Sequence, residues 1–161
     1  MSLSVEGLNV RYHIGKTITV YAINGISFSI EKGDSLGIIG ETGSGKTTIA
    51  NTILRVLPPS TEVKGKVIFE GEDILSMSLK DFRKKIRWKK ISMVAQYSMN
   101  ALNPIKKVGE QLVSIYLEHM SSTKEEAVNR ILDLFKELNI SEDIFFKYPD
   151  ELSGGQRQRV V

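Results

Sequence analysis

The chain has 161 residues, 41% hydrophobic and 25% charged, the balance of an ordinary globular protein with length for one cored domain. It has no cysteine, which excludes disulfides, thiolate metal sites and cysteine nucleophiles, and its net charge of +3 is too small to argue for nucleic acid. No apolar run approaches the roughly 18 residues needed to cross a bilayer, and the first residues carry no signal-peptide pattern.

The first third reads as β-rich. Residues 3–10 alternate through Leu3, Val5, Leu8 and Val10 with a break at Gly7, which predicts a strand. Residues 18–30 carry β-branched and aromatic side chains, interrupted by Asn24-Gly25, a pair that predicts a hairpin turn. Residues 31–34 predict a turn, and the short apolar run 35–39 predicts another strand. Residues 48–57 have helical spacing with Ile49, Ile53 and Leu54 as the apolar face, and Pro58-Pro59-Ser60 is the expected stop.

Between that strand and that helix stands Gly40-Glu41-Thr42-Gly43-Ser44-Gly45-Lys46-Thr47, which fits the phosphate-binding pattern G-x-x-x-x-G-K-[ST] at every fixed position. The glycines admit backbone angles closed to residues with a Cβ, so the main chain can curl and point successive N–H groups inward. The helix beginning near Lys46 adds its positive end. Lys46 would bring an ammonium to the β and γ phosphates, and the Thr47 hydroxyl would hold Mg²⁺. A lysine-ended surface turn is the bland alternative; the correct flanks on both sides argue against it.

Further on, residues 66–70 and 91–95 predict strands. Between them, Lys80, Arg83, Lys84, Lys85, Arg87, Lys89 and Lys90 crowd around Phe82, Ile86 and Trp88. Phe82 and Ile86 share a helical face, so the cations are either the solvated side of a short helix or a docking or polyanion-binding surface. The last third has helical periodicity. Val108, Leu112, Ile115 and Tyr116 form one stripe; Ala127, Ile131, Leu134, Phe135 and Leu138 form another, opened by a capping-box pair at Ser122 and Glu125. His13 and His119 have no second ligand at metal spacing and read as structural or exposed.

Two further segments carry a resemblance. Leu152-Ser153-Gly154-Gly155-Gln156 lies about a hundred residues beyond the glycine loop, and Gln96 ends an apolar run about fifty residues beyond it. In this order and spacing the set resembles the nucleotide-binding domain of an ATP-binding cassette (ABC) transporter, with Leu152 to Gln156 as the signature motif and Gln96 as the Q-loop glutamine. The resemblance covers essentially the whole chain. It extends to the ATPase subunits of oligopeptide, dipeptide and nickel importers through Leu36-Gly37-Ile38 before the loop, Leu102-Asn103-Pro104, and Tyr148-Pro149-Asp150-Glu151-Leu152. Tyr97-Ser98 depart from the acidic residue and proline usual after the glutamine.

The resemblance implies roles by position. Tyr12 would stack on adenine, although a β-rich segment also places aromatics for packing. Gly40, Glu41, Thr42, Gly43, Ser44, Gly45, Lys46, Thr47 and Thr48 would hold the ATP phosphates. Gln96 would reach Mg²⁺ and the attacking water, and would link the site to a transmembrane partner; its neutral carbonyl suits that task. Ser153, Gly154, Gly155 and Gln156 would serve ATP bound on the opposite subunit, although Ser-Gly-Gly is also an ordinary helix entry. Lys46 and Gln96 are the candidate catalytic residues, and Thr47 and Gln96 the candidate Mg²⁺ ligands. The family's Asp-Glu strand end, D-loop and switch histidine find no match before Val161. The sequence is therefore expected to be a truncated ATPase subunit that turns ATP over poorly or not at all.

The expected fold is an α/β P-loop NTPase of ABC ATPase type, with an antiparallel β-subdomain, a helical subdomain and the C-terminal part of the core missing. Residues 1–96 would form the nucleotide-binding core and 97–161 the helical subdomain. The expected function is an ATP-binding subunit that couples hydrolysis to import of peptides or a similar small solute. Expected partners are a second ATPase subunit packed head to tail, permease subunits and, indirectly, an extracellular solute-binding protein, at the cytoplasmic face of the membrane and without nucleic acid. A soluble non-transport ABC ATPase and a nucleotide-binding fragment without turnover are the alternatives.

Overall fold

The computed structural model describes residues 2–15, 17–96 and 98–161. It divides into two compact units, Met1–Ser92 and Met93–Val161. In the first, strands β1 (Leu3–Ile14), β2 (Ile18–Ile30), β3 (Thr61–Phe69) and β4 (Glu72–Asp73) form an antiparallel sheet in the order β2-β1-β3-β4. Helices α1 (Lys46–Ile53) and α2 (Leu79–Lys85) accompany it. Val5, Leu8, Val10, Ile23, Val67 and Phe69 of the sheet share one core with Ile49 of α1 and with Phe82 and Ile86.

Asn24-Gly25 is not a hairpin turn. β2 runs straight through it, and Leu8 pairs with Ile26 while Asn9 pairs with Asn24, which leaves Gly25 as an extra residue in a bulge. A matching irregularity lies across β1 and β3, where Glu6 pairs with Lys66 and Asn9 with Lys64. Gly65 there has φ +103, and a Cβ on it would sit 2.6 Å from the Gly7 carbonyl oxygen. In β1 itself Val5 pairs with Phe28 and Leu8 with Ile26, so two residues stand opposite Ser27; that β1 bulge lets Val5 and Leu8, three apart, both face the core, and it explains the broken alternation at Gly7.

The runs 35–39 and 91–95 do not form strands. Strand geometry persists only where a neighbour completes the ladder, and neither run pairs beyond a single parallel bridge, Arg87 to Ile91. Their apolar side chains stand open, with Ile39 98% and Val94 81% exposed.

Helix α1 spans Lys46–Ile53 rather than 48–57 and ends before the prolines. Arg55 adopts φ +53, its N–H donates to Thr52 O and that of Val56 to Asn51 O, both at 3.0 Å, so a Schellman turn closes the helix. The left-handed conformation of a large residue is offset by its side chain. Arg55 Nη1 donates to the carbonyls of Ile74 (3.0 Å) and Met77 (2.7 Å), and the guanidinium lies over the Phe82 ring.

The second unit is helical: α3 (Val108–His119), α4 (Lys124–Glu137) and α5 (Gly154–Val160), joined by short 3-10 turns at Ser98–Ala101, Glu142–Phe146 and Pro149–Glu151. Val108, Val113, Ala127, Ile131, Phe135, Ile140, Ile144 and Leu152 form its core. The α3 stripe is rotated from expectation: Val113 is buried and Ile115 is exposed. In α4, Ala127, Ile131 and Phe135 are buried, but Leu138 is exposed because a second Schellman turn, with Asn139 at φ +53, ends the helix before it.

The α4 capping box sits one residue later than expected. Thr123 Oγ1 accepts from the Glu126 N–H, and Glu126 Oε2 accepts from the Thr123 N–H at 2.8 Å. Ser122 instead donates its hydroxyl to the same carboxylate. The Thr123 backbone bond, with these hydroxyls, holds Glu126 below the usual carboxylate range. Its contribution to folding is therefore present above the unfolded-state value and lost as pH falls through the lowered one.

Gly109 in α3 has no room for a side chain: a Cβ would meet the Phe145 ring at 2.4 Å. Gly109→Ala is expected to destabilise the protein by about 1–3 kcal/mol through overpacking, read as a lowered thermal midpoint; an unchanged midpoint would show that Phe145 moves aside freely.

Candidate functional site

The glycine loop joins the end of the turn after β2 to α1. Gly43 and Gly45 have φ +87 and +92, the left-handed angles that the pattern demands. Gly45 is required twice over, since a Cβ on it would lie 2.5 Å from the Ala22 carbonyl oxygen of β2. Gly40 is less constrained: an added Cβ would approach Ser44 Oγ to 2.7 Å, a hydroxyl that can rotate away. Ser44 N–H donates to Glu41 O at 3.2 Å, a backbone bond that closes the curl.

Lys46 turns back over the loop. Its Nζ donates to the carbonyl oxygens of Gly40 (2.7 Å) and Glu41 (2.6 Å) and approaches Ser44 Oγ at 3.4 Å. The ammonium therefore sits inside the curl, at the positive end of α1, whose first N–H groups no side chain caps. Such a concavity of amides with one mobile cation is a receptor for a polyanion. Thr47 is exposed and its hydroxyl makes no hydrogen bond among the described residues, so it remains available to an incoming ligand.

Tyr12, Thr42 and Thr48 lie in the same unit. Tyr12 Oη donates to Thr48 Oγ1 at 3.3 Å, which ties its ring to the first turn of α1, and the Thr48 carbonyl in turn accepts from the buried Thr52 hydroxyl at 2.7 Å. Thr42 is exposed in the loop turn. Gln96 and the segment Ser153, Gly154, Gly155 and Gln156 belong to the second unit. Gln96 is exposed in a turn; Tyr97, part of the departure after it, lies outside the described residues.

Ser153 is an N-cap. Its Oγ accepts from the Gln156 N–H at 3.2 Å, and Gln156 Oε1 accepts from the Ser153 N–H at 2.9 Å, a reciprocal capping box that opens α5. The ordinary helix-entry role is thus filled, while the hydroxyl proton of Ser153 remains able to donate outward. Gly154 and Gly155 are exposed, and a Cβ on either would meet nothing within 4 Å. Nothing inside the unit requires glycine at these positions. Gly155→Ala is expected to leave the melting temperature unchanged or slightly raised, since alanine is the better helix former by about 1 kcal/mol; a clear loss would reveal an internal packing role.

One residue escaped the sequence reading. Gln111 of α3 donates Nε2 to the carbonyls of Asn103 (3.0 Å) and Lys106 (2.9 Å), and its Oε1 accepts from the Asn103 N–H at 2.7 Å. It holds Leu102-Asn103-Pro104 in a fixed loop from which Ile105 projects, 81% exposed. A single glutamine on a helix gives no sequence signal of such a clamp.

His13 Nδ1 lies 3.1 Å from Thr19 Oγ1, a surface contact beside the Glu62 carboxylate. Among the described residues no group of three or more His, Cys, Asp or Glu could hold a metal by itself.

The ABC transporter family model matches residues 23–161. The oligopeptide transport ATP-binding protein OppD of Bacillus subtilis (strain 168) is 38% identical over 146 residues, 88% of this chain and 40% of that protein. The peptidoglycan transport ATP-binding protein YejF of Agrobacterium fabrum is 38% identical over 163 residues, 99% of this chain and 30% of that protein. A solved dimeric post-hydrolysis state of the ATP-binding cassette MJ0796, bound to ADP and Pi, superposes with a TM-score of 0.80 at 28% identity. That superposition covers 98% of this chain and 66% of the cassette. The chain thus spans less than half the length of these two transport relatives. With the glycine loop, the capped signature segment and a family match over most of its length, the chain belongs to the ABC transporter family.

Proposed function

We infer that this chain is the ATP-binding part of a subunit that drives solute transport, with peptides or a similar small solute as cargo. The observation that carries the reading is the curled loop with the Lys46 ammonium seated inside it. Gly40, Glu41, Thr42, Gly43, Ser44, Gly45, Lys46, Thr47 and Thr48 would enclose the triphosphate, and Tyr12, tethered to Thr48, would face the base. Thr47 and Gln96 would hold magnesium, whose chemistry is to neutralise phosphate charge. An open hydroxyl and a neutral amide fit a cation that keeps most of its ligands from phosphate and water.

Ser153 presents a hydroxyl proton, and Gly154 and Gly155 present open helix-start amides on glycines without internal purpose, beside the capping Gln156. This supports the reading that they meet a nucleotide held by a second subunit. The dimeric cassette among the structural neighbours supports a paired arrangement. Residues 1–96 would act as nucleotide core and 97–161 as helical subdomain, with the clamped loop at Leu102-Asn103-Pro104 offered to membrane-embedded permease subunits. An extracellular solute-binding protein would deliver the cargo to those permeases, leaving this subunit at the inner face of the membrane.

Uptake of a labelled peptide by cells carrying the intact gene tests the transport reading. Lys46→Ala in that gene is expected to reduce uptake to background. Undiminished uptake would contradict the reading.

A further inference from the structure

The cations at 80–90 need a separate account. Seven Lys and Arg residues there face a single carboxylate, Asp81, so eleven residues carry more positive charge than the whole chain's net +3. Two of the seven are absorbed internally: Arg87 lies over Phe82 and donates to the Arg55 carbonyl, and Lys90 pairs with Glu70. The remaining five, Lys80, Arg83, Lys84, Lys85 and Lys89, are exposed and make no ion pair with a described residue. Phe82 and Ile86 bury the opposite face, so the fold pushes these cations together onto one outer surface.

Beside them stands Trp88, the chain's only tryptophan, 54% exposed in a tight turn at φ +67. The turn is fixed by Trp88 N–H donating to Ile91 O at 2.9 Å and by three N–H groups converging on Ile86 O. A seven-residue helix is about 10 Å long, close to the Debye length of about 8 Å in physiological salt, so the cations act as one field.

We propose that this basic face, with Trp88 at its edge, binds the surface of an anionic phospholipid membrane. Lysines on flexible stems suit a fluid array of headgroup phosphates, which needs pooled charge and no fixed geometry. An indole beside them is the side chain that settles at the headgroup level. Nucleic acid is the poorer fit: the helix is too short to follow a groove and only one arginine among the five offers a fork to a base edge. No described helix is long and apolar enough to cross a membrane, and a surface attachment needs none. The proposal does not depend on the nucleotide-site reading.

Because the tryptophan is unique, it reports on its own surface. Vesicles of phosphatidylcholine with a third phosphatidylglycerol are expected to shift its emission to the blue and to be quenched by brominated acyl chains, whereas pure phosphatidylcholine vesicles leave it unchanged. Half-molar salt is expected to reverse the shift. The triple variant Lys80→Glu, Lys84→Glu, Lys89→Glu keeps the fold, as each side chain is exposed, and should weaken vesicle partition at least a hundred-fold, about five-fold or more per charge. A cooperative thermal melt of the same variant, with a midpoint matching the parent's, serves as the control for folding. An unshifted emission with anionic vesicles, partition unaltered by the triple variant, or tighter binding to an oligonucleotide than to the vesicles would overturn the proposal.

Discussion

Lys46→Ala is expected to weaken MgATP binding by roughly 10²–10³-fold while leaving the fold intact. A charge pair at 4 Å with an effective dielectric near 20 is worth about 4 kcal/mol, and every 1.4 kcal/mol is a factor of ten. Part of that is offset because the ammonium gives up its bonds to the Gly40 and Glu41 carbonyls, at 2.7 and 2.6 Å, to meet phosphate. Those carbonyls belong to an exposed loop and can turn to water, so stability is expected to change by no more than about 0.5 kcal/mol. Displacement of a fluorescent nucleotide analogue gives the affinity, and a thermal melt gives the control. Binding within three-fold of the parent would mean that the loop amides alone hold the phosphates.

Phe82→Ala is expected to be the most damaging substitution for folding, at about 3–5 kcal/mol. The ring is fully buried, in contact with the core under β1 and β3, and two guanidiniums lie over it, Arg55 at 5.4 Å and Arg87 at 5.9 Å from its centroid. Removing the ring leaves a cavity and also strips both cations of their apolar platform. Burial, with Arg87 as a neighbour, lowers the pKa of Arg55 despite the opposing pull of Asp73. Arg87 Nε is buried and finds no hydrogen-bond partner among the described residues, which adds to the cost of any rearrangement. Urea denaturation followed by circular dichroism measures the loss; Phe82→Leu is expected to recover most of it. A cost below about 1 kcal/mol for the alanine variant would show that the two arginines and the sheet close over the gap.

The glycine loop was legible because phosphate chemistry dictates both residue type and spacing over eight consecutive positions. The left-handed angles at Gly43 and Gly45 follow directly. The sheet was less so. Asn24-Gly25 has the local composition of a turn, but the register with β1 makes it a bulge, and that register also depends on Gly65, forty residues away, lying against Gly7. Local composition carries no information about a third strand.

Helix ends failed for a related reason. Arg55 is a poor residue for a left-handed cap by propensity; its acceptors, the carbonyls of Ile74 and Met77, lie 19 and 22 residues on. The runs 35–39 and 91–95 have strand composition, but a ladder is a property of a pair, and no described strand lies alongside either. The signature segment was legible as a motif, whereas its reciprocal cap between Ser153 and Gln156 and the empty space around Gly154 and Gly155 required the fold.

The most direct measurement is a calorimetric titration of the folded 161-residue chain with ATP in the presence of magnesium. Saturable heat with one nucleotide per chain, abolished when triphosphate is replaced by adenosine, is the predicted result. Absence of any saturable heat from a sample that melts cooperatively would contradict it.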